Sequence, residues 1–308
     1  MFRAETFLAT AFRQFLQVAE AGSVRAAARL SNTAASAISR QVALLESQLG
    51  IPLFDRVGRN LRLTPAGEAL KTGLLASSEV HEQTLDALNA LRGLQSGRLR
   101  IATVESLSMS VLPDVLASFL EQYPGVQVSV FVAGSDAVTE LVNNYAADLG
   151  FTFNPASVEG LEVLHAYDLP MGAVLHPGHP LAQRKSLTFA ECLAYPLAWP
   201  ARGLSLRALL DPLVQDRPDF RPQFECDSLR VMAALARRGR CIAFQPSIGI
   251  EQEIAAGTVV HVPLSDRRLG TDRLVVIRRQ GQAARLAADT FLQMAKGALP
   301  GGRTVRKK

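Results

Sequence analysis

Apolar residues recur along residues 6–20 at Leu8, Phe12, Phe15, Leu16 and Ala19, offsets of 4, 7, 8 and 11 that lay one stripe on a helix. Gly22 ends this helix. Ser23 caps the next, Val24–Leu30, whose Ala26, Ala27 and Ala28 let a neighbouring helix approach closely. Asn32 and Thr33 supply a turn, with Thr33 as N-cap of a third helix that buries Ile38, Val42, Leu45 and Leu49. The opposite face of that helix carries Ser36, Ser39, Arg40 and Ala43, and Gly50 closes it. Residues 51–64 change period. Leu61 and Leu63 alternate as in a strand, Gly58 and Asn60 suit a tight turn, and Arg56, Arg59 and Arg62 project from the ribbon. Thr64-Pro65 starts a long helix that the pattern carries to Leu94, where Ser96-Gly97 stops it. Thirty residues of helix span about 45 Å. Its Leu70, Leu74, Leu85, Leu88 and Leu91 call for a partner, most simply another copy of the chain, although Ser77, His81 and Thr84 interrupt any heptad seam.

From residue 98 strands and helices alternate. A strand holding Leu99, Ile101 and Thr103 precedes a helix over 107–122, then VQVSVFV (126–132), a helix near 136–147 and LGFTF (149–153). This βαβαβ rhythm predicts a parallel sheet with right-handed crossovers. MGAVL (171–175), a helix near 203–215, Ser228–Arg238, CIAF (241–244), a helix near 247–256 and TVVHV (258–262) continue it. RLVVI (273–277) and a helix near 282–297 close the pattern. Two α/β halves of this size would enclose a cleft.

The first 64 residues thus read as a mainly α-helical winged helix-turn-helix, which places one helix in the major groove of DNA. The expected domains are this unit (1–64), a linker and dimerisation helix (65–97) and an α/β two-subdomain unit (98–300). Within the last, subdomain I covers about 98–167 and 268–300 and subdomain II about 168–267. A basic tail (301–308) follows.

Charge sharpens this division. The chain is net +5, but residues 1–62 hold eight Arg against four acids and the tail from residue 300 holds another four cations. With +4 at each end, the stretch 63–299 is left at −3, so it is not a nucleic-acid surface. Apolar residues make up 48%, ample for several cores. No run of 18 apolar residues and no export signal are visible, which predicts a cytoplasmic chain with no membrane partner.

Candidate chemistry is sparse. Cys192, Cys226 and Cys241 show no metal spacing; Cys226 and Cys241 are either a redox pair or buried small apolar groups. His176-Pro-Gly-His179 lacks the further ligands of a metal site and fits a turn. No phosphate loop, dinucleotide fingerprint or GxSxG elbow occurs, so no enzyme and no cofactor are expected. The rival to a DNA-binding regulator is a cytoplasmic small-molecule-binding protein of periplasmic-binding fold without DNA activity.

The segments AEAGSVRAAARL, SAISRQVALLE, QLGIPLFDR and LTPAGE, in this order and spacing, resemble the LysR-type transcriptional regulator family. RLRIATVES, LPDVLASFLEQYPGVQV, DLGFTF and LHPGHPLA resemble that family's effector domain. The resemblance implies a dimer or tetramer on double-stranded promoter DNA. A small molecule in the cleft would alter subunit geometry, DNA bending and contact with RNA polymerase. It places DNA contacts at Ala35, Ser36, Ser39, Arg40 and Arg59. Ala35 stands where many members carry Gln, an adenine reader, and Ser31 where members carry a buried Leu, whose space Leu30 is expected to fill. For the effector, a carboxylate or similarly polar molecule, the resemblance points to Ser106, Ser108 and Ser135 and, in the second half, Arg202, Ser205 and Ser228. Each serine is equally readable as an ordinary N-cap. Phe151 and Phe153 either line the cleft or fill the core.

Overall fold

The computed structural model describes residues 10–58, 60–90, 96–282 and 285–299. The chain forms two compact units, Met1–Gly93 and Leu94–Lys308. Leu8, Arg59, Leu91 and the basic tail fall outside the described residues.

In the first unit, helix α1 (Thr10–Ala21) is followed by α2 (Val24–Ser31), α3 (Ala35–Leu49), the strands β1 (Phe54–Val57) and β2 (Asn60–Leu63), and the long α4 (Pro65–Ala90). Ser23 caps α2 as its type predicts, its Oγ accepting from Ala26 N at 3.2 Å. The buried stripes of the three helices meet in two clusters. Val18, Ala27, Ile38 and Val42 form one, and Phe15, Leu45, Leu53 and Leu74 the other, with half-buried Phe54 packed against both. The wing is antiparallel, with Phe54 opposite Leu63 and Val57 opposite Asn60.

The carboxylate of Glu46 fastens the wing to α3. Its Oε1 accepts from Leu53 N at 2.7 Å and Phe54 N at 3.2 Å, giving two backbone N–H groups of the wing their acceptor. The wing's other end is tied by Leu61 N, which donates to Gly22 O at 2.8 Å. Thr64 starts α4 as expected, accepting from Gly67 N at 3.0 Å while its hydroxyl donates to Pro52 O at 2.8 Å. Gly67 is forced: a Cβ there would lie 2.2 Å from Leu53 O.

Four sequence expectations fail in this unit. Thr33 does not cap α3. Ala34 occupies that position with no side-chain bond, and Thr33 Oγ1 instead donates to Ser31 O at 3.2 Å. Leu30 fills no core space, being 81% exposed, and Ser31 turns its hydroxyl back to Ala27 O at 2.8 Å. The α3 ridge ends at Leu45, because Leu49 is 48% exposed. Leu70 and Leu74 need no second copy, since they pack into this unit's own core beside Phe15. Leu88 and Val80 of α4 remain exposed.

The second unit opens with β3 (Gly97–Thr103), α5 (Glu105–Ser108), α6 (Val111–Gln122), β4 (Val126–Val132), α7 (Ser135–Asn143), β5 (Leu149–Phe153) and β6 (Leu161–Leu169). The chain then enters a second lobe: β7 (Gly172–Leu175), α8 (Phe189–Cys192), β8 (Ala198–Pro200), α9 (Ser205–Leu210), a 3-10 turn, β9 (Phe224–Cys226) and α10 (Leu229–Arg237). This lobe ends with β10 (Ala243–Gln245), α11 (Glu251–Ala255) and β11 (Val260–Pro263), and β12 (Asp272–Arg279) and α12 (Leu286–Ala298) return to the first lobe.

The expected parallel sheet is only partly so. Its order is β4-β3-β5-β12-β6, and only β4, β3 and β5 run parallel; β12 is antiparallel to both neighbours. Strand β6 was not anticipated, because LEVLHAYDL mixes charges with apolar residues rather than alternating cleanly. The second lobe pairs β7 antiparallel with β10 and β11, and β8 parallel with β9. The helix expected over 107–122 is broken at Met109-Ser110 into α5 and α6. Phe119, Phe151 and Phe291 centre the first lobe's core, and Phe189, Trp199 and Phe244 the second's.

Inside the first lobe Asp148 is almost fully buried, pairing with Arg100 at 2.8 Å and with Arg285 at 3.4 Å. Removing one member of such a group leaves an uncompensated interior charge.

Glu46→Ala leaves the Leu53 and Phe54 N–H groups without their acceptor. It is expected to destabilise the first unit by about 1–3 kcal/mol, read by urea unfolding, whereas Glu46→Gln, which keeps an acceptor oxygen, is expected to lose less.

Candidate functional site

The first candidate surface lies on α3. Because Ile38, Val42 and Leu45 are buried, Ser36, Ser39 and Arg40 are turned into solvent, and Ala35 is half-buried at the helix start. The missing side-chain cap leaves the first N–H groups of α3 open to a phosphate oxygen. Among the described residues nothing hydrogen-bonds or ion-pairs with Arg40. Arg25, Arg29, Arg56 and Arg62 are exposed as well. The result is a cationic surface built around a free guanidinium with five donors.

The second candidate is a cavity of about 310 Å³ between the two lobes of the second unit. It opens where the rules for open α/β sheets place ligands, beyond the carboxyl ends of the parallel strands. Val104, Glu105 and Ser106 follow β3; Val132, Gly134 and Ser135 lead from β4 into α7; Phe153 ends β5. From the second lobe come Arg202–Leu206, Asp227, Leu229, Pro246 and Ile248, and Asp272 begins β12. The volume suits a small metabolite.

One carboxylate joins the lobes. Glu105 of α5 accepts from Ser228 Oγ on Oε1 and from Leu229 N on Oε2, both at 2.8 Å, at the N-terminus of α10. An anion there is favoured by the open N–H groups and the helix dipole. A second interlobe contact is backbone-close: a Cβ at Gly249 would lie 3.0 Å from Ser106 Cα, and φ of +90° there disfavours any other residue.

Asp272 is a different kind of acid. It is 2% exposed, and its Oδ1 accepts from Asn154 Nδ2 at 2.7 Å. Burial pushes its carboxyl up to about 7, with the Asn154 hydrogen bond pulling weakly the other way. Asn154 also clamps the strand start, donating from its backbone to Arg273 O at 3.0 Å and accepting from Arg273 N at 3.1 Å.

Residues 9–68 match the family model "Bacterial regulatory helix-turn-helix protein, lysR family", and residues 92–300 match "LysR substrate binding domain". The chain belongs to the LysR family of transcriptional regulators. The transcriptional activator LysR of Escherichia coli is 32% identical over 80% of this chain and 79% of its own length. A full-length cysteine-to-aspartate variant of OxyR from Pseudomonas aeruginosa shares the fold with a TM-score of 0.73 at 16% identity, covering 97% of this chain and 98% of that one. Full-length CbnR, solved in complex with its target DNA, matches with a TM-score of 0.60 at 21% identity over 94% and 98%.

In this LysR-type regulator the six expected effector residues separate. Ser106, Ser135, Arg202 and Ser205 line the cavity. Ser108 does not, its hydroxyl turning back to Glu105 O at 2.7 Å. Ser228 is engaged twice away from the lining, capping α10 through Val231 N and donating to Glu105. Ser106 and Ser135 are buried, and neither hydroxyl has a hydrogen-bond partner among the described residues. Phe153 lines the cavity and Phe151 fills the core against Phe291. Sequence reading missed Glu105, Asp227 and Asp272; each of the first two immediately precedes a singled-out serine, and Asp272 opens a visible strand.

The bland readings of the other motifs have physical support. His176 and His179 act as turn acceptors, their Nδ1 atoms receiving Gly178 N at 3.0 Å and Leu181 N at 3.1 Å. Cys192 and Cys241 are buried, which raises both thiols, that of Cys192 to about 12, whereas Cys226 is only half-buried and, like the other two, free. No described helix is long and apolar enough to cross a membrane.

The raised Asp272 carboxyl has a stability consequence. Between about pH 4 and pH 7 the folded chain holds a proton that the unfolded chain has released, so this group lowers stability as pH rises through that window. Asp272→Asn, which keeps an amide-compatible contact to Asn154, is expected to flatten the decline and to exceed wild type in stability at pH 8. Denaturation midpoints across pH 4–8 read this directly.

Proposed function

We propose that this regulator binds double-stranded promoter DNA with the N-terminal half of α3 in the major groove, and that a small effector held between the two lobes modulates the binding. The observation that carries the first half is the free, exposed Arg40 beside Ser36 and Ser39, on the face opposite a fixed aliphatic ridge. Ala35, at the helix start, meets a thymine methyl rather than hydrogen-bonding an adenine, and the wing arginine Arg59 takes the adjacent minor groove. CbnR, a family member of the same fold, has been captured on its target DNA.

The second half rests on Ser106 of α5 and Ser135 at the start of α7, two buried residues that line the cavity and whose hydroxyls have no hydrogen-bond partner among the described residues. They suit the carboxylate or other polar acceptor of an effector, with Arg202 and Ser205 on the facing wall. Self-association into a dimer or tetramer fits the exposed Val80 and Leu88 of α4 and the exposed Val130, Phe131 and Val132 of the edge strand β4. Action in the cytoplasm and contact with RNA polymerase complete the reading.

The test uses duplexes selected from a randomised pool by the protein itself. Arg40→Ala is expected to weaken binding to the selected site by about 1–3 kcal/mol, roughly five- to 150-fold in Kd, with unchanged unfolding behaviour. Binding of the native chain is expected to fall steeply with salt. Unaltered affinity in the variant, measured by fluorescence anisotropy, overturns the docking. Ser106→Ala is expected to leave DNA affinity intact and to blunt the response to any effector found by thermal-shift screening.

A further inference from the structure

The cleft holds more acid than base. Among the described residues, Glu105, Asp227 and Asp272 line it against the single cation Arg202. The three acids differ in what they still lack. Both oxygens of Glu105 are occupied by the N-terminus of α10. Asp227 is exposed to water, which satisfies it. Asp272 is 2% exposed, and the Asn154 amide is the one hydrogen bond to its carboxyl among the described residues. A carboxylate offers about four lone-pair positions, so a buried one with a single neutral donor is undersupplied when ionised.

The neighbouring cation does not serve it. Arg273, next in β12, turns its guanidinium to Asp168 of β6, with Nε at 2.7 Å from Oδ1. Arg202 is exposed on the second lobe. In the same cavity Ser106, Ser135 and the uncapped start of α7 present donors. The two acids beside them are engaged elsewhere, Asp136 of the first turn of α7 with Ala156 N and Glu105 with the N-terminus of α10. The cavity thus holds a buried carboxylate with a single neutral donor at one place and hydroxyl and N–H donors at another.

We propose that the effector of this cleft is a small zwitterion whose ammonium group pairs with Asp272 and whose carboxylate sits on Ser106, Ser135 and the N-terminus of α7. The proposal rests on the reading of the cleft as the effector site and adds the chemical class of the occupant and the residue that selects it. An ammonium ion brings three donors and the opposite charge, the two things the Asp272 site is short of. A diacid of equal length would bring a second carboxylate to a buried acid, with repulsion in place of pairing.

The experiment compares unbranched ω-amino acids of two to six carbons with the diacids of the same lengths, by thermal shift on the full chain at pH 8. At least one amino acid is expected to protect at a concentration roughly tenfold below that of its matched diacid. Its protection is expected to weaken at least about tenfold on going to pH 5.5, as Asp272 takes up its proton while neither end of the probe titrates. Glu105, Asp227 and Arg202 are the other charged groups that line the cavity. Asp272→Asn is expected to erase the advantage of the amino acid; should that variant not fold, the pH dependence of the native chain decides alone. Diacids that protect as well as the amino acids, with protection lost in Ser106→Ala, overturn the zwitterion and leave the cleft reading standing. No protection by either series overturns the zwitterion. An effector of another class whose protection is indifferent to Ser106→Ala removes the cleft reading as well.

Discussion

Ile38, Val42 and Leu45 permit α3 only one rotation about its axis. Once that stripe is sealed against Val18, Ala27 and Phe15, the positions one-half turn away have to face outward. Ser36, Ser39 and Arg40 therefore stay exposed without any interaction holding them there. Their orientation is a by-product of core packing on the reverse face. Glu46 extends the same constraint to the wing, because a carboxylate on the buried side of α3 accepts two N–H groups from the chain that enters β1. Helix and wing are then one rigid reading head, and precision in a groove comes from the burial behind it.

The second unit solves a different problem. At the cleft the two lobes meet through the Glu105 carboxylate on the N-terminus of α10, the close pass of Gly249 over Ser106, and Ile248, which is buried in the first lobe's core. Ser106 lies next to Glu105 in α5, so a ligand touching the Ser106 hydroxyl acts within one residue of the group that bridges to the other lobe. Any ligand that binds better to one disposition of this bridge than to another shifts the balance by that difference in affinity and no more.

The sequence showed the helix periods, the turns and the order of strands, because those depend on local spacing. It did not show direction in the sheet. A βαβαβ rhythm describes β3, β4 and β5 correctly, yet β12 runs against them, a choice made by the long excursion through the second lobe. Small errors cluster at the ends of α2 and α3. Sequence reasoning assigned Thr33 to the cap and Leu30 and Leu49 to the core by type, whereas the left-handed Asn32 (φ 50°) ends α2 and leaves Ala34 at the cap of α3, and Leu30 and Leu49 sit in the last turns of their helices. At the cleft, serines were found because helix starts are legible. The acids were not, because burial raises Asp272 only after β5, β12 and Asn154 are assembled around it. A carboxylate's environment is tertiary information.

The distribution of charge ties the two units to separate tasks. Residues 1–62 carry +4 and the stretch 63–299 carries −3, so a duplex is attracted to the reading head and repelled from the lobes that hold the cleft. The same negative balance appears inside the cavity, where three acids meet one Arg. Long-range repulsion of polyanions and short-range selection of a ligand's charge thus follow from one compositional choice. Solvent ions screen the first beyond about 10 Å at 0.1 M salt. They screen the second far less, because Asp272 is 2% exposed. On the function proposed above, DNA affinity falls as salt rises while charge selection in the cleft is held, since the two depend on charges in different dielectric surroundings.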